Sequence, residues 1–177
     1  MMEECGVLEI FGRVEDPEAL RVVIRSARWD DVSMDWATRA TEDELVAAFL
    51  DAAEGGDWVR VVADSTRNNR VMFDETRAAC RAAGLSYIHS CGTSGTDGYE
   101  TAAYWTPGQE KEFEVGLVNG IDVAIPLREI SEAADRGGDH LLKLVRDYSR
   151  KTLQHLDKKL EMSEECRASL ATAGLTV

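Results

Sequence analysis

Four β-rich runs lie between residues 85 and 125, and very little chain separates them. They cover residues 85–91, 99–106, 110–117 and 121–125, joined by a loop at 92–98, by Pro107-Gly108 and by Asn119-Gly120. Connections this short leave no room for a crossover helix, so neighbouring strands must run antiparallel. This segment sets the kind of sheet the chain builds, and the remaining elements have to pack on it.

The first half has a different rhythm, of strand followed by helix. Residues 7–14 (Val-Leu-Glu-Ile-Phe-Gly-Arg-Val) are β-rich. Asp16-Pro17-Glu18 then starts a helix, because aspartate caps, proline suits the first turn and glutamate favours the positive end of the helix dipole. Leu20, Val23, Ile24 and Ala27 follow at helical spacing. In the second unit Val32, Met34 and Trp36 alternate with polar residues, as in a half-buried strand. Thr41 and Glu44 stand in capping-box spacing before a helix that Gly55-Gly56 stops. In the third, a strand over 58–63 leads through a polar loop into a helix ending at Gly84.

After the antiparallel segment, Pro126 opens a short helix that ends near Gly137-Gly138. A long helix is expected over 139–161, with Leu142, Val145, Ser149, Leu153, Leu156 and Leu160 as its stripe, widened by Leu141, Leu144 and Tyr148. A last helix is expected over 163–173. The expected fold is α+β (or α/β), a two-layer sandwich with a mixed sheet. Its order is β-α-β-α-β-α-β-β-β-(β)-α-α with a final optional helix. Residues 1–137 form the expected core domain, with C-terminal helices over 138–177 packed on it.

Charge is the main lead to function. The chain of 177 residues carries a formal net charge of −13. Residues 30–57 hold nine acids (Asp30, Asp31, Asp35, Glu42, Asp43, Glu44, Asp51, Glu54 and Asp57) against the single base Arg39, a net −8. Glu110, Glu112 and Glu114 alternate on one run, so an extended strand there turns all three to one face. The long helix is the opposite pole, with Lys143, Arg146 and Arg150 as a basic stripe and Lys158 and Lys159 near its end. Such a balance argues against a direct nucleic-acid binder, which needs cations to displace counterions. With no apolar run of about 18 residues, no membrane span is expected. The acidic start Met-Met-Glu-Glu-Cys-Gly lacks a signal-peptide layout, so the expected location is cytoplasmic.

Candidate chemistry is sparse. Cys5, Cys80, Cys91 and Cys166 are widely spaced and do not cluster with His89, His140 and His155, so neither a metal nor another cofactor is assigned. His89 and Cys91 point to one side of a strand with Cα atoms about 7 Å apart. Without a third group to orient the histidine, the expectation is a buried thiol and a half-exposed imidazole, and no catalytic residue is assigned. The glycine-rich loop Gly92 to Gly98 lacks the lysine of a P-loop and reads as a hairpin tip. Trp36, Trp58, Tyr104 and Trp105 read as packing residues.

The primary reading is an acidic protein-binding module. It would be a small inhibitor or immunity-type factor occupying a basic, nucleic-acid-binding surface of a partner, as anti-restriction and anti-CRISPR inhibitors do. Its partner-binding residues would be the nine acids of the 30–57 window together with Glu110, Glu112 and Glu114. One alternative is a small enzyme or ligand-binding domain using Asp64, Ser65, Thr66, Arg67 and Asn68. If the first strands are parallel, Glu15, Asp16, Thr38 and Arg39 join that edge. A second alternative is a homo-oligomer in which the two charge poles pair between copies.

Overall fold

In the computed structural model, which describes residues 4–30, 41–65, 73–93, 100–118, 122–153 and 158–173, the chain begins with the long strand β1 (Glu4–Val14). There follow α1 (Pro17–Asp30), α2 (Glu42–Gly55), β2 (Val59–Ser65), α3 (Asp74–Ala82) and β3 (Ser86–Thr93). Next come β4 (Glu100–Trp105), β5 (Phe113–Val118), β6 (Asp122–Ala124), α4 (Leu127–Asp135), α5 (Gly138–Leu153), β7 (Leu160–Met162) and α6 (Glu164–Ala173). The fold is α+β.

The helix ends follow local chemistry. The Asp16 carboxylate accepts from the N–H groups of Glu18 and Ala19 at 2.9 and 3.3 Å, and Pro17 is the first residue of α1. At α2, Thr41 and Glu44 form a reciprocal capping box, and Gly56 closes the other end at φ 67°, which favours glycine.

The sheet order is β2-β1-β3-β4-β5-β6, and every adjacent pair on that path is antiparallel. Among the described strands β7 alone pairs in parallel, joining β1 at Gly12–Val14 beyond the point where β2 begins. The N–H of Leu160 donates to the Asp57 carbonyl at 2.7 Å, which seats β7 against the entry to β2.

One face of the sheet presents Leu8, Ile10, Val59, Val61, Tyr87 and Trp105. It packs against Leu20, Val23 and Ile24 of α1, Leu45, Val46 and Phe49 of α2, Ala79 and Cys80 of α3, and Cys166 and Leu170 of α6. Full burial of a leucine or phenylalanine stabilises by about 2 kcal/mol, so this face holds most of the folding energy. The opposite face has a smaller cluster: Phe11, Ile88, Ala102, Tyr104, Val115 and Leu117. Tyr148 of α5 packs there edge-on to Phe113, with ring centroids 5.2 Å apart. α2 thus lies at the β2–β7 end of the sheet and α5 at β5. The two are separated by four strand spacings, or about 19 Å.

Three expectations change. The long helix stops at Leu153, and Leu160, expected on its stripe, is a fully buried strand residue beside β1. β7 and α6 therefore belong to the same core as β1, so the C-terminal segment is not solely helical. α5 is also turned from its expected orientation. Leu141, Leu144 and Tyr148 face the domain, while Leu142 and Val145 are 55% and 45% exposed. Finally, β1 and β2 are antiparallel, not parallel as assumed for the alternative ligand edge, and among the described strands the sheet is mixed only through β7. The strand expected at Val32, Met34 and Trp36 lies outside the described residues.

Candidate functional site: an acidic helix face and a polar cleft

α2 buries Leu45, Val46, Phe49, Ala52 and Ala53 and leaves the opposite side in solvent. That outer side carries Asp43, Glu44, Asp51 and Glu54, all exposed, with Ala47 and Ala48 between them. Glu44 and Asp51 are seven residues apart, which places them on the same side about 10.5 Å apart along the axis. Among the described residues, Asp43, Asp51 and Glu54 have no cationic partner. Glu42 lies closer to the domain, 3.7 Å from Arg25 of α1. Glu44 has a second task, because its carboxylate accepts from the backbone N–H of Thr41 at 2.6 Å and from the Thr41 hydroxyl at 3.0 Å. These bonds hold it below the usual carboxylate range. Asp57, just past the helix, is exposed and accepts from the N–H of Trp58 at 2.8 Å. Asp30 ends α1, and Asp31 and Asp35 lie outside the described residues.

The glutamate comb does not form as expected. β5 begins only at Phe113, so Glu110 lies in the preceding bend. Glu112 is turned into the protein, where its carboxylate receives Arg77 at 3.1 and 2.9 Å and Arg81 at 2.9 Å. It also accepts the Tyr87 hydroxyl, and Tyr87 in turn accepts from Arg81. Burial, with the adjacent Glu112 carboxylate, raises the Tyr87 phenol above its ordinary value. Glu112 is therefore internally neutralised, and of the three glutamates Glu110 and Glu114 are exposed.

Arg77, His89, Cys91, Thr101, Ala103, Glu112 and Glu114 line an open cleft of about 500 Å³, closed on its far side by Pro126, Glu129 and Tyr148. The cleft exists because the α1–α3 layer ends short of the β4–β5 half of that face. Inside it, Cys91 Sγ lies 3.2 Å from His89 Nε2. The exposures are the reverse of the expectation: His89 is buried, with the ring of Phe73 edge-on at 5.6 Å, and Cys91 is half-buried. Burial, reinforced by the positive charge of Arg77, pushes His89 down to about 4. The imidazole is neutral at physiological pH, so it offers no imidazolium to hold a thiolate beside it. The pair reads as a packed polar contact rather than an activated nucleophile. Cys80 is also buried, and burial pushes it up to about 12. Among the described residues, no three His, Cys, Asp or Glu side chains are grouped to hold a metal ion.

Of the alternative ligand residues, Asp64 and Ser65 are described. Asp64 and Ser65 end β2 opposite Cys5 and Glu4 at the beginning of β1. Glu15 and Asp16 follow the other end of β1, about 30 Å away along the strand. Thr66, Arg67 and Asn68, with Thr38 and Arg39, lie outside the described residues, as do residues 94–98 of the glycine-rich loop. No helix among the described residues is long and apolar enough to cross a membrane. In comparisons with known proteins, the chain matches no family model, no curated protein and no solved structure.

Proposed function

We propose that the chain is a protein-binding module that docks the acidic outer face of α2 on a basic surface of a partner protein. The partner class is one whose cations ordinarily grip nucleic-acid phosphates. The chain would act as a small inhibitor or immunity-type factor, by the carboxylate-for-phosphate substitution that anti-restriction and anti-CRISPR inhibitors use.

One observation carries this reading: Asp43, Asp51 and Glu54 are exposed and without a cationic partner among the described residues, on a helix whose other side is locked into the core. Solvated charge on a loose segment would have to be ordered on binding. These carboxylates sit on a helix capped at both ends, so that entropy has largely been spent in folding. A fixed negative face of this kind raises association rates and discriminates between partners more than it adds affinity.

The test is retention of proteins from the native cell on the tagged chain, at low and high salt. The variant combines Asp51→Lys and Glu54→Lys with Glu44→Gln, since glutamine preserves the capping box. The expected partner is a nucleic-acid-handling protein held at low salt, released at high salt and not held by the variant. Equal retention by wild type and variant would overturn the proposal.

A further inference from the structure

α5 leaves a second helix face without a partner. Lys143, Arg146 and Arg150 project outward along it, flanked by the exposed Leu142 and Val145. Among the described residues, neither Lys143 nor Arg146 pairs with a carboxylate, and Arg150 reaches only Asp147, on its own helix, at 3.4 Å. Asp139 and Asp147 share this face, so its three bases against two acids leave it net +1, a weakly basic and apolar patch in a chain of net charge −13.

We propose that this face of α5 is a docking surface for a second copy of the chain, and that it receives the acidic face of that copy's α2. Charge and spacing support the choice of occupant. Lys143 and Arg150 are seven residues apart, as are Glu44 and Asp51, so both pairs span about 10.5 Å of helix. Ala47 and Ala48 lie between the acids, so small side chains face Leu142 and Val145 and the two helices can approach closely. Within one chain the two faces cannot meet, because α2 sits at the β2–β7 end of the sheet and α5 at β5. The contact is therefore between copies: a twofold dimer makes it twice, α2 on α5 and α5 on α2, while one contact per pair continues into rings or open chains. Net repulsion between copies opposes it at long range, but that repulsion is screened beyond about 8 Å at physiological salt, while the facing charges meet at contact distance.

Self-association competes with the partner docking proposed above for α2, yet it can be tested separately, because only self-association uses α5. Sedimentation velocity on the purified chain is the measurement. The expected result is a mass that rises with concentration at about 0.05 M salt and returns to monomer at about 0.5 M, where the screening length is roughly threefold shorter. Two variants test the pairing. One carries Lys143→Glu, Arg146→Glu and Arg150→Glu. The other carries Glu44→Gln, Asp51→Lys and Glu54→Lys. Each is expected to be monomeric alone at low salt, and an equimolar mixture is expected to associate, because each variant then presents the complement of the other. The α5 variant is expected to keep its partner in the native-cell retention assay. A wild-type monomer at every concentration in low salt overturns the inference, as does association that survives either set of reversals. A mixture that stays monomeric overturns the α2–α5 pairing.

Discussion

Glu112, just before β5, receives the guanidinium of Arg77 from α3 through both carboxylate oxygens, at 3.1 and 2.9 Å. The pair is mostly buried, with side-chain exposures of 11% for Arg77 and 18% for Glu112, and it ties the helical layer to the margin of the sheet. Removing Glu112 takes away the acceptor that Arg77, Arg81 and the Tyr87 hydroxyl share, although Arg77 keeps Asp74 on its own helix. Glu112→Ala is therefore expected to lower stability by about 3 kcal/mol, and Glu114→Ala, exposed two residues on, by less than about 0.5 kcal/mol. Urea denaturation of the two variants measures the contrast. Equal losses would mean that Glu112 belongs to a solvated comb after all.

His89 gives the protein an acid-sensitive term. Its folded value is near 4 against an ordinary 6.5, so the unfolded chain binds the proton more readily. The contribution is complete above about pH 6.5 and is lost as pH falls toward 4, with a limiting slope of about 1.4 kcal/mol per pH unit. Carboxylates add their own slope in part of that range, so the informative quantity is the difference between wild type and His89→Gln. Denaturation at several pH values is expected to show a shallower decline for the variant, and the wild-type imidazole is expected to titrate near 4 by NMR. A midpoint near 6.5 would contradict its burial.

Leu160 and Leu142 test the rearranged C-terminal region. Leu160 is fully buried between β1 and the helices, so Leu160→Ala is expected to cost about 2–5 kcal/mol. Leu142 is exposed on α5, and Leu142→Ala is expected to change stability by no more than about 0.5 kcal/mol. A single helix running through both positions would make the two losses similar. Thermal or urea unfolding separates these outcomes.

Thr41 holds the start of the acidic helix. Thr41→Ala removes the side-chain half of the capping box and is expected to cost about 1 kcal/mol, while Glu44→Gln retains the box and costs less. Urea midpoints for the two variants check the order.

These contrasts also mark which parts of the structure could be read from the sequence. Helix ends with local chemistry were legible: Asp16-Pro17, the Thr41–Glu44 box and the stop at Gly55-Gly56 are where the residues placed them. The antiparallel connections were legible because Pro107-Gly108 leaves the chain no other route between β4 and β5. What failed depended on distant partners. Leu160-Glu161-Met162 fits a helix stripe as well as a short strand, and only the open edge of β1 decides between them. Glu112 looks like Glu110 and Glu114 until Arg77, 35 residues earlier, is brought beside it. The rotation of α5 is set by the contact of Tyr148 with Phe113 on the sheet, and no periodicity within the helix distinguishes Leu141 from Leu142. On the acidic side, local sequence was enough to place Glu44, Asp51 and Glu54 on one side of the helix, because the buried residues of α2 recur at helical spacing, while Asp43, at the helix start, joins that face in the structure.

The central claim, that the outer face of α2 is where a partner docks, is tested most directly by a photo-crosslinking residue in place of Ala47, at the middle of that face, in the native cell. The account predicts that a basic, nucleic-acid-handling protein is joined to the chain through position 47. The crosslink is predicted to vanish when Asp51→Lys, Glu54→Lys and Glu44→Gln are added. A crosslink of undiminished yield in the charge-altered chain, or none from position 47 while the same probe at Ser131 of α4 captures the partner, would contradict it.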